Sequence, residues 1–228
     1  MKTKIQKFFL NLLFPKFCFN CQKEGRYLCQ DCLSMLEILN SHQKYSTKNL
    51  SDLYFSLPYQ NILVKKLIQR FKYQPFIKKL AETLTLLIIT HLRLLDNKPN
   101  FFNFILIPIP LNEKRLRWRG FNQAEEISKE LSKFLKIPLI KNCLKRTKNI
   151  PAQVDLSEEE RKENVKGVFF CQNKKEVFGK KILLVDDVYT TGATMEEAAR
   201  VLKESGAREV RGVVVARAQP GEDKLENI

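Results

Sequence analysis

Residues 181–218 read KILLVDDVYTTGATMEEAARVLKESGAREVRGVVVARA, and they restrict the fold of this chain more than any other stretch. An apolar run, KILLV, enters two adjacent aspartates. A helical pattern follows from Thr194 and is closed by Gly206. A second apolar run, EVRGVVVARA, completes a strand–helix–strand unit. Such a unit places its strands parallel in one sheet with the helix packed across a face. Short, continuously apolar strands belong inside a sheet covered on both sides. The chain is therefore expected to be α/β, a parallel sheet flanked by helices.

Upstream sequence supplies the remaining layers. Leu63, Leu67 and Phe71 mark one face of a helix that ends before Pro75, and a second helix is predicted from about Phe76 to Leu95. Lys65, Lys66, Arg70, Lys72, Lys78 and Lys79 are expected to make the outer side of this pair basic. FFNFILIPIP reads as a buried strand stopped by Pro108 and Pro110. A basic loop with Arg115, Arg117, Trp118 and Arg119 follows, then a helix from about Asn122 and a short strand, IPLI. LTLLIITHLRLL is interrupted by His91 and Arg93, so it reads as a core helix, and no stretch is long enough to span a bilayer. MKTKIQKFFLNLLF lacks a cleavage site and reads as an amphipathic helix.

Four of the six cysteines crowd into CFNCQKEGRYLCQDC, as Cys18, Cys21, Cys29 and Cys32. Two CxxC pairs separated by seven residues suit a tetrahedral four-sulfur shell for structural zinc, with iron as the competing metal. All four places are protein thiolates, so no position remains open for catalysis. Clustered thiols in a chain of 228 residues suit a reducing, cytoplasmic setting. Two regions are expected: residues 1–50 with the zinc knob, and 51–228 with the α/β sheet. The formal charge of +15 favours polyanions: phosphorylated metabolites, nucleic acid or an anionic surface. Lys136, Lys141, Lys145, Arg146 and Lys148 form a second basic run beside the Arg-rich segment, and Ser157 with Glu160 forms a capping box.

Ligands of parallel sheets bind at the carboxyl ends of the strands. There, VDDVYTTGAT puts two carboxylates beside a helix start. The N–H groups of that start, with Gly192 and the hydroxyls of Thr190, Thr191 and Thr194, suit a phosphomonoester. Carboxylates repel phosphate but accept hydroxyls or hold magnesium. A sugar phosphate with a neighbouring diol fits both halves. A receiver domain also ends a strand in paired acids, but it needs far more chain than follows Asp187.

ILLVDDVYTTGAT resembles the phosphoribosyl pyrophosphate (PRPP) motif of type I phosphoribosyltransferases. More closely, the chain resembles the ComF family, through LLFPKFCFNC with the paired CxxC, through IPIPLNEKRLRWRGFNQAEEIS, and through LKRTKNIPAQVDLSEEERKENVKGVF. It departs at FKYQPF, where a glycine is expected near Pro75. The resemblance implies a type I phosphoribosyltransferase-like sheet with an N-terminal zinc domain. It implies that Asp186 and Asp187 hold the ribose hydroxyls of PRPP, that Thr190, Thr191, Gly192, Ala193 and Thr194 hold its 5-phosphate, and that magnesium bridges ribose and pyrophosphate. Arg115, Arg117 and Arg119 are candidates for the pyrophosphate. It also implies DNA uptake in natural transformation, with single-stranded DNA and a competence helicase as partners. A non-catalytic, PRPP-sensing or DNA-binding protein is the first alternative, and a salvage or amidophosphoribosyltransferase-like enzyme the second.

Overall fold

The computed structural model describes residues 15–147 and 165–218. The expected first helix, the capping box at Ser157, and Lys148 lie outside the described residues. Two compact units, Met1–Glu37 and Ile38–Ile228, divide the chain.

The first unit is built on the two CxxC pairs. Phe17 and Glu24 form an antiparallel bridge. The Cys18 N–H donates to Lys23 O and the Gln22 N–H donates to Cys18 O, which closes a tight knuckle. Gln22 at φ 61 and Gly25 at φ 112 turn the chain there. The second pair opens helix α1 (Gln30–Ser34), with Cys29 as its N-cap.

The second unit carries the predicted parallel sheet. Its strands are β1 (Asp52–Pro58), β2 (Phe104–Pro108), β5 (Lys181–Val185), β6 (Val188–Tyr189) and β7 (Glu209–Arg217). Their order is β1-β7-β5-β2, all parallel, with β6 continuing beside β7 past the end of β5. Ile182 to Val185 and all of β2 are buried, as continuous apolar runs inside a covered sheet require. A separate two-stranded sheet pairs β3 (Leu144–Arg146) with β4 (Phe169–Cys171) antiparallel.

The expected strand IPLI reduces to one bridge, Leu139 to Leu106. Pro138 has no N–H to continue the ladder; its carbonyl accepts from Leu106, and Ile140 donates back to Leu106 O.

Helix α2 (Ile62–Lys72) starts at Asn61, whose side chain accepts the N–H groups of Leu63 and Val64. Its buried stripe is Val64, Leu67, Ile68 and Phe71. Helix α3 (Leu80–Leu94) begins later than predicted, because residues 73–79 form a separate turn with Phe76 at φ 52. This is the place where a glycine was expected. His91 is buried in α3; its Nδ1 lies 2.6 Å from Leu39 O, and burial lowers its pKa. It is a core histidine, as its isolation in the sequence suggests.

The Arg-rich segment is a helix rather than a loop: α4 (Glu113–Arg119). Asn112 caps its start, with Oδ1 accepting from the Lys114 N–H, and Gly120 at φ 81 closes it. Helix α5 (Gln123–Leu135) follows, capped by Asn122. A single helical turn, α6 (Lys174–Val177), precedes β5. Helix α7 (Ala193–Glu204) makes the crossover from β5 to β7. It packs so closely on β7 that a Cβ at Gly212 would lie 2.5 Å from Met195 Sδ and 2.7 Å from Leu53 Cδ1. Among the described residues no helix is long and apolar enough to cross a membrane.

Candidate functional site

The central strand β5 ends at the Asp pair, while its neighbour β7 runs on beside it to Arg217. After Val185 the chain steps out of the β5 ladder. The Asp186 N–H still donates to Val213 O, while the Asp187 carbonyl accepts from Val215 and Ala216. The register is unchanged when β6 resumes pairing at Val188 with Ala216, so the Asp pair sits in a gap between β5 and β6. The Asp187 N–H donates to its neighbour's Oδ1 at 2.8 Å.

Asp187 is buried, and the cation that compensates it comes from α2. Lys72 Nζ lies 2.9 Å from Asp187 Oδ1, with the two side chains 22% and 8% exposed. Lys72 therefore leaves the outer basic face to which helical spacing assigns it. Burial disfavours its charge, but Asp187 and then Asp186 hold its pKa above the ordinary lysine value. Asp186 is pushed up to about 7, by burial first and then by the charge of Asp187, against the pull of Lys72 and Arg146. A cation or a set of hydroxyl donors beside Asp186 would relieve the burial and repulsion that raise it.

Two arginines face the pair. Arg119 is 8% exposed, its Nε has no partner among the described residues, and its guanidinium feels the charge of Asp187. Arg146 on β3 likewise has an unpartnered Nε and feels Asp186. Burial lowers the pKa of both, and the charge of Arg115 lowers both further, so Arg115 is within electrostatic reach of this cluster. Arg117 is not part of it. Residues four apart share a helix face, which aligns Arg115 with Arg119. Arg117 projects from the other side and pairs with Glu113 at 3.6 Å on the surface. The second basic run is also broken up: Lys141 pairs with Glu125 at 3.4 Å, and Arg146 turns inward.

The threonine loop gathers at the start of α7. Gly192 is its N-cap, at φ 79, and as a glycine carries no capping side chain. The Ala193 N–H reaches Thr191 Oγ1 at 3.4 Å. Thr190, Thr191 and Thr194 are each partly exposed. First-turn N–H groups without a side-chain cap form an anion site when hydroxyls surround them. The loop is braced from beneath. A Cβ at Gly192 would lie 2.1 Å from the Tyr189 hydroxyl oxygen and 2.3 Å from Cζ, so only glycine lets the loop rest on that ring. Tyr189 in turn meets Tyr45, with 3.1 Å between their hydroxyls. Thr47 Oγ1 donates to Glu196 in the first turn of α7, and Asn49 donates to the same carboxylate at 2.7 Å.

The structure brings together the Asp pair, the threonine loop, Arg115 and Arg119 that the sequence singles out, and adds Lys72, the inward-turned Arg146 and Tyr189, which it did not.

The phosphoribosyl transferase domain family model matches residues 119–227, which include the Asp pair and the threonine loop. Competence protein F of Haemophilus influenzae is 33% identical over 209 residues, spanning 90% of this chain and 86% of that protein. The chain belongs to the ComF family. Two further similarities agree. Competence protein ComFC of Streptococcus pneumoniae is 30% identical and spans 88% of this chain and 80% of its own. DNA utilization protein YhgH of Escherichia coli is 35% identical over 46% of each chain. This ComF chain thus has the type I phosphoribosyltransferase fold that its motif implied.

The N-terminal thiols of this ComF chain cluster at metal-ligand distances. The Sγ atoms of Cys18, Cys21, Cys29 and Cys32 all lie within 4.8 Å of one another. A tetrahedral shell with zinc–sulfur bonds of about 2.3 Å needs sulfurs about 3.8 Å apart, so the group fits. The Cys29 N–H points at Cys18 Sγ (3.5 Å), and Asn20 Nδ2 donates to Cys32 Sγ at 3.4 Å. Burial would raise the Cys18 thiol, but backbone N–H groups from Cys21, Cys29 and Asn20 bring it down to about 6. Asn20 would lower Cys32, yet burial and the three neighbouring sulfurs push it up to about 12. Four thiols at this spacing could hold a metal ion such as zinc.

Proposed function

We propose that this ComF protein binds PRPP, with magnesium, at the carboxyl edge of its sheet. The observation that carries the reading is one juxtaposition. A carboxylate pair, Asp187 buried and Asp186 half-buried, backed by Lys72, stands next to a helix start whose N-cap is a glycine. Asp186 and Asp187 would accept the two ribose hydroxyls. Thr190, Thr191 and Thr194, with the backbone at Gly192 and Ala193, would hold the 5-phosphate. Arg119, with Arg115 beside it, would meet the pyrophosphate. Magnesium, when bound, would neutralise the pyrophosphate and make it a better leaving group.

Breaking the C1–pyrophosphate bond builds positive charge on the ribose and negative charge on the leaving group. The Asp pair and the arginines would stand on the matching sides of that separation. No acceptor is indicated by the residues around the pair, which favours binding without turnover as the second reading. The four thiols of the N-terminal knuckle would take zinc as a structural ion.

The relatives named as competence proteins support a role in DNA uptake, with single-stranded DNA as the polyanion and a competence helicase as a partner. Trp118 and Tyr73 favour the DNA contact. They are 54% and 51% exposed, lie against each other and Phe76, and sit beside Arg119. The nearby aromatic Phe121 is buried and cannot stack on a base. Clustered thiols and a phosphorylated metabolite suit the cytoplasm.

Thermal unfolding with ligand tests the site. PRPP with magnesium is expected to raise Tm, ribose 5-phosphate less, and adenosine not at all. No shift with PRPP would overturn the reading. Pyrophosphate release on adding PRPP alone or with candidate bases then separates an enzyme from a sensor.

A further inference from the structure

Two cysteines remain outside the knuckle, and the fold brings them together. Cys143 and Cys171 Sγ atoms lie 3.4 Å apart as free thiols. Cys143 immediately precedes β3 and Cys171 ends β4. The register pairs Leu144 with Cys171, and the Gln172 N–H donates to Cys143 O at 2.7 Å. The two sulfurs are thus one register step apart and clamped by backbone pairing, within the reach of a disulfide. Among the described residues no other Cys, His, Asp or Glu completes a metal shell with them. The Asp pair makes no use of them.

We infer that Cys143 and Cys171 are a redox modification site, which closes reversibly to an intramolecular disulfide on reaction with a low-molecular-weight disulfide such as oxidised glutathione. The two thiols divide the chemistry by burial. Cys171 is partly exposed, whereas Cys143 is 0% exposed and packs with Leu144, Val168, Phe169 and Val177. The Cys171 thiolate attacks one sulfur of the small disulfide. That bond breaks, one glutathione thiolate leaves, and a mixed disulfide forms on Cys171. Cys143 then gives its proton to solvent and attacks Cys171 Sγ, displacing the second glutathione thiolate. Two protein thiols are oxidised, one small disulfide is reduced to two thiols, and the released protons end on those thiols or in solvent.

The order has a physical cause. Burial first, then the Cys171 sulfur by hydrogen bond and charge, push the Cys143 thiol up to about 12. Converting Cys171 to a neutral mixed disulfide removes the second and third of these influences. Cys143 therefore becomes a better nucleophile once its target has formed. The bond would tie β3 to β4 and restrict the unfolded chain between residues 143 and 171. It would also fix the strand that carries Arg146.

The test uses the full chain with its metal bound. After oxidised glutathione and alkylation of free thiols, peptide mass mapping is expected to find Cys143 linked to Cys171. The link should reverse with dithiothreitol and raise Tm by several degrees. Cys143→Ser should accumulate a glutathione adduct on Cys171, and Cys171→Ser should leave Cys143 unmodified. Both thiols fully alkylated after the oxidant, or a link from either one to a knuckle cysteine or a second chain, would overturn the inference. The wild-type map decides on its own if a serine variant fails to fold.

Discussion

Lys72 Nζ stands 2.9 Å from Asp187 Oδ1, joining the last turn of α2 to the end of β5. The contact places a cation beside a carboxylate pair of which Asp187 is buried. Removing one partner leaves the other charge uncompensated. Lys72→Met is expected to cost about 2–3 kcal/mol, below the full value for a buried pair because Lys72 keeps some water contact. Urea unfolding measures it. The Lys72→Met/Asp187→Asn double variant should lose less than the sum of the single changes. Additive losses would show that the pair contributes nothing as a pair.

Asp186 has the opposite sign. Its folded pKa, about 7, lies above its ordinary value of 3.8, so the folded state holds more protons between those limits. Without ligand, stability should fall as pH rises through that window. Asp186→Asn removes the repulsion and is expected to stabilise the free protein above pH 7 by roughly 1–2 kcal/mol, since Asp186 is only partly buried. The same change should weaken PRPP binding. Thermal unfolding at acid and alkaline pH checks this: the two proteins should converge at low pH. A variant less stable than wild type at high pH would contradict it.

The Asp pair and threonine loop were legible because strand end, carboxylates, glycine and helix start are contiguous, and local chemistry gives each a reason. Lys72 was not legible. Its position beside buried Phe71 reads as the edge of an amphipathic face, and its partner is distant in sequence. Arg146 sat in a run of lysines that reads as solvated, and only the β3–β4 pairing aims it inward. The helical state of Arg115 to Arg119 was present in Asn112 and Gly120, a start cap and a left-handed stop, but Pro108 and Pro110 argued for a loop. Tyr189 was hidden by its role, since it acts by shape beneath Gly192 and carries no charge.

That shape gives a steric prediction. Gly192→Ala meets both a left-handed φ and the Tyr189 ring, and is expected to cost at least about 2 kcal/mol and to abolish the phosphate cradle. Adding Tyr189→Ala should relieve the clash but not the backbone strain. Rescue by the second change would therefore be partial in denaturant unfolding. Full rescue would show that strain at Gly192 is negligible, and none would show that the ring is not the obstacle.

The knuckle should depend on its ion. Elemental analysis is expected to give one zinc per chain, and a strong chelator should remove it while the Cys18 and Gly25 amides lose hydrogen-exchange protection. Cys29→Ser, which removes a ligand while serine can still cap α1, should give the same loss without chelator. Protection that survives metal removal would contradict a structural ion.

The central claim is that the carboxylates take ribose hydroxyls and the helix start takes phosphate. Calorimetric titration of PRPP with magnesium tests it most directly, on wild type, Asp187→Asn and the double variant with Lys72→Met. Binding by the wild type, lost in Asp187→Asn and not restored when Lys72 is also neutralised, is the predicted result. Wild-type protein that is folded and metal-loaded yet does not bind, or Asp187→Asn that binds as tightly as wild type, would contradict it.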